Sequence, residues 1–240
     1  QRLPLWIGWH QRRHLRPEPA LVRCLVTKGL PMGLQMLVVS LSLVLMLALI
    51  NTHGTQVSAA YGAALQLWAY VQMPAIAVAS ACTTIAAQNV GAGHWLRVAR
   101  TARAGVACHL LLTGACVTLI LACDRSVLAL FLPEGSTALE PARHLNRIVL
   151  GSFMLLGVSS VLAGVVRSTG AVLAPLAILT VTLWGLRLPL AWGLQPLWGQ
   201  DALWWSFPLS ALASMLLSIA YYRWGPWRRS RLLDSTIAQS

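Results

Sequence analysis

The stretch at 29–51, GLPMGLQMLVVSLSLVLMLALIN, carries no charged side chain, and it decides the fold. Roughly 20 mostly apolar residues wound as a helix cross the hydrocarbon of a bilayer. A helix is the form required there, because backbone amides and carbonyls in lipid must be satisfied within their own segment. Working outward, the same reading holds at 57–88, 98–123, 145–166, 171–197 and 202–222. The chain is therefore expected to be all-α, a polytopic bundle of six transmembrane helices. The second span is long for one crossing, so it is expected to tilt, kink at Pro74 or project into the interface. Composition agrees: hydrophobic residues make up 57% of the chain and charged residues 10%, against about 25% charged in soluble domains.

The net charge of +12 would suit a nucleic-acid surface if the cations formed one patch, but they sit in short clusters between apolar runs. With both chain ends on the cytoplasmic side, 14 of the 18 cations fall on that side. They are Arg2, Arg12, Arg13, Arg16, Arg23 and Lys28, then Arg97, Arg100 and Arg103, then Arg167, then Arg223, Arg228, Arg229 and Arg231. Arg125, Arg143 and Arg147 fall outside, together with Asp124, Glu134, Glu140 and Asp201. This bias predicts cytoplasmic termini. Residues 1–28 read as a cytoplasmic connector arriving from upstream, 29–223 as the membrane lobe and 224–240 as a basic cytoplasmic tail. Because the chain begins at Gln1 without a signal-peptide layout, it reads as a fragment. Trp198, Trp204 and Trp205 are expected at one membrane interface and Trp224 and Trp227 at the other, with Trp68, Trp184 and Trp192 facing lipid.

The five cysteines, Cys24, Cys82, Cys108, Cys116 and Cys123, have no zinc or redox spacing and are read as small hydrophobes. No metal site and no cofactor motif is found. Setting Arg187 aside, the middles of the spans are read as free of Asp, Glu, Lys and His. His53, His94, His109 and His144 are taken as polar surface without an acidic partner, which argues against an enzyme.

Neutral polar groups do lie within the spans. Gln66, Tyr70, Met73, Ala77, Ser80 and Thr84 share one helical face by their spacing, and Gln35 and Ser42 share another. Two readings stand: glue between helices, or the lining of a substrate cavity, since unpaired amides and hydroxyls are costly in hydrocarbon. Arg187, near the outer end of the fifth span, is expected to hold a structural place at the interface by snorkelling, with a cavity as the other option. Pro74 and Pro189 lie mid-span and are the hinge candidates.

Ala87-Gln88-Asn89-Val90-Gly91-Ala92-Gly93 resembles the Gly-Gln-Asn-x-Gly-Ala-Gly signature closing the eighth helix of the MATE (multidrug and toxic compound extrusion) transporters. Other stretches follow in the same order. Gly29-Leu30-Pro31 is similar to the family's Gly-x-Pro, Met73-Pro74 to its mid-helix Met-Pro, Gly164 to Gly170 to its Gly-x-x-Arg-Gly-x-Gly turn, and Leu186-Arg187-Leu188-Pro189-Leu190 to its Arg-Ile-Pro-Leu segment. The resemblance covers about 29–225 and implies one six-helix lobe of a twelve-helix transporter, the C-terminal one, whose partner would be a missing N-terminal lobe. It implies efflux of cationic or amphipathic compounds by antiport with H+ or Na+, in the cell membrane. Its motif residues here are Pro31, Gln88, Asn89, Gly91, Gly93, Arg167, Gly170 and Arg187. The acids of the NorM-type branch fall on Val39 and Leu156 here, so the chain looks closer to the DinF-type branch, whose implicated aspartate lies in the other lobe. Alternatives are a flippase of lipid-linked oligosaccharide or peptidoglycan precursors in the same superfamily, and, from other classes, a membrane enzyme or a scaffold.

Overall fold

The computed structural model describes residues 19–133 and 135–229. Residues 1–18 of the connector predicted over 1–28, Glu134 and residues 230–240 lie outside the described residues. Among the described residues, ten α-helices, a π stretch and a 3-10 turn follow in order. α1 spans Pro19–Asn51, α2 Thr55–Gly91, α3 Trp95–Ala122 and α4 Asp124–Ala129. α5 spans Leu139–Val149, α6 Ser152–Arg167 and α7 Leu173–Thr180, followed by the π stretch Val181–Arg187. Then come α8 (Leu188–Gly193), α9 (Gln195–Trp198), α10 (Asp201–Trp224) and the turn Pro226–Arg229.

Five of these units are long and apolar enough to cross a membrane, and α5 with α6 forms a sixth, bent by 44°. The six expected spans are therefore present, with three differences in detail. α1 begins at Pro19, ten residues before the span expected from sequence. α2 runs unbroken through Pro74. The fourth span breaks at Leu150-Gly151, a site with no proline, where backbone bonding tightens to Phe153 N–H donating to the Leu150 carbonyl and Met154 N–H to that of Gly151. In the fifth span the irregularity sits just ahead of Pro189. That residue lacks an amide donor and its ring crowds the Gly185 carbonyl, and the wider π winding of Val181–Arg187 absorbs both.

α6 lies at the centre, packed against α2, α3 and α10, while α1 touches the rest lightly through α2 and α7. Lipid tails are as apolar as the side chains, so packing here comes from close contact and interhelical hydrogen bonds. Small residues supply the contact. A Cβ on Gly105 would meet the Cys82 sulfur, one on Gly157 the His109 ring, and one on Gly164 the Thr83 hydroxyl and the Ala79 carbonyl oxygen. The other half of the core is aromatic: Tyr61 stacks on Trp204 at 6.2 Å, and Trp68 meets Phe153 and Phe207 at 5.6 and 5.5 Å. Trp68 and Trp204 are thus interior residues, 2% and 3% exposed, in place of the lipid and interface positions expected for them. Trp227, 1% exposed, is also inside, stacked on Tyr222 at 5.0 Å. Left-handed glycines close the arginine-bearing turns, Gly93 at φ 72° and Gly170 at φ 88°.

The opposite end is closed by ion pairs. Asp124 accepts from Arg143 Nε at 3.0 Å and from Arg147 at 3.4 Å, and Arg143 also reaches Glu140 at 2.8 Å. His144 has an acidic partner after all, Asp201 at 2.8 Å, which ties α5 to α10. The Arg143 hydrogen bond, helped by the Arg125 amide and the two guanidinium charges, holds the Asp124 carboxyl below the usual carboxylate range, against the opposing effect of burial. A carboxyl depressed in the folded state stabilises above its unfolded pKa, about 3.9 for Asp, and stops doing so as pH falls through the folded value. The thermal midpoint of wild type should therefore exceed that of Asp124→Asn at neutral pH, and the gap should close below about pH 4. A gap that stays constant from pH 7 to pH 3 would contradict this assignment.

Candidate functional site: a polar cleft between α1, α2 and α6

A cleft of about 290 Å³ opens between three helices. α1 contributes Gln35; α2 contributes Gln72, Ala75, Ile76, Ala79, Ser80 and Thr83; α6 contributes Phe153, Leu156, Gly157, Ser160 and Arg167. Arg167 ends α6 and donates to the Gln35 side-chain oxygen at 3.4 Å. Thr83 and Ser160 donate their protons to the carbonyls of Ala79 and Leu156, four residues back on their own helices. Their oxygen lone pairs are thereby left for a guest. The cleft therefore offers hydroxyl acceptors, two amides that donate and accept, one guanidinium, and the apolar sides of Phe153, Leu156 and Ile76. An enclosed space of about 70 Å³ shares Gln35, Leu156, Ser160 and Arg167 and reaches Ser159, Ser214 and Ser218. There the Ser159 hydroxyl pairs with those of Ser214 at 2.9 Å and Ser218 at 2.7 Å.

Of the residues expected to line a cavity, Gln35 and Ser80 do so. Gln66, Tyr70, Met73 and Thr84 are exposed on the outer face of α2, and Ser42 is buried with its hydroxyl unpartnered. The cleft face of α2, at 72, 76, 80 and 83, is one residue out of register with the stripe at 73, 77, 80 and 84, a rotation of about 100°. Gln72, Thr83 and Ser160 were missed, although polar residues at that spacing were the available signal. Among the motif residues, Arg167 enters the cleft. Pro31 is buried in α1, Gln88 and Gly91 are exposed at the end of α2, and Asn89 bonds its own helix at the Ile85 carbonyl. Pro74 is half-buried in α2 and Pro189 is exposed.

Arg187 corrects the sequence reading. It does not snorkel: it is 6% exposed, inside the lobe, with Nε donating to Ser210 at 2.9 Å and its guanidinium 4.5 Å from the Phe207 ring centre. Among the described residues it has no acidic partner. Ser206, Ser210, Ser214 and Ser218, spaced every fourth residue on α10, are all buried. They give α10 the polar face that accommodates it.

His109 is a second correction. It lies mid-way along α3, fully buried, where the spans were read as free of histidine. Its Nε2 lies 3.1 Å from the Met154 carbonyl oxygen, which can only accept, so Nε2 carries a proton, while Nδ1 hydrogen-bonds with the Thr113 hydroxyl at 3.1 Å. The ring fills the space left by the missing Cβ of Gly157, whose backbone also lines the cleft. Among the described residues no group of three His, Cys, Asp or Glu side chains could hold a metal ion.

The fold and cleft define a class: a multi-pass helical membrane protein with a polar recess inside its bundle. The MatE family model matches residues 31–192, and the chain belongs to that family. It is 32% identical over 231 residues to a probable multidrug resistance protein of Bacillus subtilis (strain 168), YoeA, covering 95% of this chain and 50% of that one. A second such protein of the same organism, YpnP, is 29% identical over 204 residues, covering 85% and 46%. Both relatives are named as probable multidrug resistance proteins. The chain thus spans about half the length of the curated relatives it matches. The fold is that of a crystal structure of MATE in complex with MaL6, with a TM-score of 0.79 at 16% identity over 95% of this chain and 50% of that one. An outward-facing multidrug resistance MATE family transporter gives 0.75 at 19% identity, covering 94% and 49%.

The contact between Gly157 and His109 yields a double-mutant test. Gly157→Ala should destabilise the protein by about 1–3 kcal/mol through overpacking, and by clearly less in a His109→Ala background. Thermal midpoints of the four proteins measure it, and strictly additive losses would refute the contact.

Proposed function

We propose that this chain forms the C-terminal lobe of a secondary multidrug-efflux transporter. The observation that carries the proposal is the cleft, in which the polar groups of Gln35, Gln72, Ser80, Thr83 and Ser160 stand beside the apolar sides of Phe153, Leu156 and Ile76, in a chain whose relatives are named multidrug resistance proteins. Amphipathic compounds suit such a lining, because Phe153 and Leu156 offer apolar contact while Gln35, Gln72, Ser80 and Ser160 offer hydrogen bonds. Cationic compounds are drawn by carboxylates, and among the described residues none lines the cleft. The acid that attracts the cation and couples its export to proton entry then belongs to the N-terminal lobe, as the DinF-type pattern implies. Leu156, where the NorM-type branch is acidic, faces the cleft as an aliphatic group, which favours H+ over Na+. The arginine clusters favour an orientation with both ends of the lobe cytoplasmic.

Arg167 favours a second reading, flipping of a lipid-linked precursor. A guanidinium lining the cleft is complementary to a phosphate.

Full-length transporter in proteoliposomes separates the two. A proton gradient should drive ethidium movement where an equal sodium gradient does not. Gln72→Leu with Ser160→Leu should slow it by roughly ten-fold, the loss of about 1–2 kcal/mol of polar contact. Failure to move any cationic dye under either gradient, with movement of a phosphate-bearing lipid retained, would replace the first reading by the second.

A further inference from the structure

On the side of the lobe away from the cleft, α3 is flanked by two apolar grooves. One, of about 450 Å³, runs between α2 and α3 past Val78, Ala81, Ile85 and Ala104, with Arg100 at its end. The other, of about 380 Å³, runs between α3, α6 and α10 past Val106, Leu162 and Ile219, with Arg103 and Tyr222 at its end. Small side chains, Ala81, Ala104 and Gly105 in the first and Ala102 and Ala107 in the second, keep both open.

Arg100 and Arg103 are three residues apart in the second and third turns of α3, close enough to act on one ligand. Neither has an acidic partner among the described residues. The described carboxylates Asp124, Glu140 and Asp201 are all engaged at the opposite end of the lobe. Arg228 joins this end: it lies 5.2 Å over the Trp227 ring and, with Arg103, within Coulombic reach of the Tyr222 hydroxyl.

We propose that this end of α3 is a binding site for an anionic phospholipid, its phosphate between Arg100 and Arg103 and its acyl chains in the two grooves. The grooves lie within the stretch of α3 that crosses the bilayer, where hydrocarbon is the medium that fills an apolar recess. The free guanidiniums at their common end complement a phosphate, with charge-assisted hydrogen bonds that a zwitterionic headgroup satisfies less well. The placement follows from the shape of α3. Three steps along α3 leave Arg100 and Arg103 about 60° apart around the helix, so each borders the groove on its own side and both lie beside one headgroup position.

The test uses purified full-length protein in mild detergent, with native mass spectrometry following retention of phosphatidylglycerol and phosphatidylcholine. It reads lipid retention alone, so its result is independent of whether the protein moves drugs. Wild type should retain phosphatidylglycerol in preference to phosphatidylcholine. Arg100→Gln with Arg103→Gln should lower that retention at least roughly ten-fold, at about five-fold per arginine. Ala81→Phe with Ala107→Phe, which fills both grooves and leaves the charges in place, should lower it comparably. Arg125→Gln, at the other end, should leave it unchanged. If the groove-filled protein retains phosphatidylglycerol as wild type does, the attraction is a diffuse surface charge and the site is overturned. Unchanged retention in the arginine variant, or equal retention of phosphatidylcholine, overturns it as well. Lipid-free thermal midpoints check folding, and Ala81→Leu with Ala107→Leu replaces the phenylalanine pair if that pair is destabilised.

Discussion

The close approach of α6 to α2 and α3 is the constraint from which the rest of the lobe follows. In hydrocarbon no general hydrophobic force drives helices together, so two backbones stay in contact only where side chains are small enough to let dispersion act. Gly164 meets Ala79 and Thr83 of α2, while Gly157 and Gly105 close the junction with α3. With α6 held in that corner, its next face, from Phe153 through Ser160 to Arg167, has only the lightly packed α1 opposite it. The cleft is the gap left between a tight junction and a loose one.

The same junction determines where polar groups are tolerated. His109 is bonded at both ring nitrogens, to Thr113 on its own helix and to the carbonyl of Met154, just past the bend between α5 and α6. Arg187 is a harder case, since a buried guanidinium without a counter-charge is costly. Its cost is offset by Ser210 and by the face of Phe207. The serine ladder of α10 continues that polar track to the enclosed space beside Arg167. Tyr61 and Asn146, each with one buried polar atom unpartnered, lie in the aromatic half of the core around Trp68, whose indole donates to Asn146 at 2.9 Å. Polar groups thus run the length of a lobe that exposes many large apolar side chains.

The spans were legible because length and apolarity alone identify a crossing helix. Pro189 marked the irregular fifth span, whereas the bend at Leu150-Gly151 had no comparable signal. The inward faces were not legible. On α1 or α10 apolar residues lie toward lipid and toward the packed side alike, the serine face of α10 being a buried one, so periodicity does not separate the lipid face from the packed one. Trp68 and Trp204 were misplaced for that reason. The stripe chosen on α2 followed an equally good spacing one residue away from the cleft face, and Ser80 was the polar residue common to both. His109 required only that its position inside the span at 98–123 be weighed, and Arg187 required knowledge of α10, which lies 14 or more residues further along the chain. The family motifs singled out Arg167 without assigning it to a cavity, and the turn through Gly170 sets its place at the end of α6, where it lines the cleft.

The central claim is that α6 is held by backbone contact at its glycines, and one comparison tests it directly. Valine placed at Gly164 meets the Ala79 backbone and the Thr83 hydroxyl, whereas at Gly62, on an open face of α2, nothing lies within 4 Å. In the purified full-length protein, Gly164→Val should lower the thermal midpoint by several degrees, as expected for about 1–3 kcal/mol of overpacking, while Gly62→Val should leave it nearly unchanged. Equal midpoints for the two variants would contradict the account.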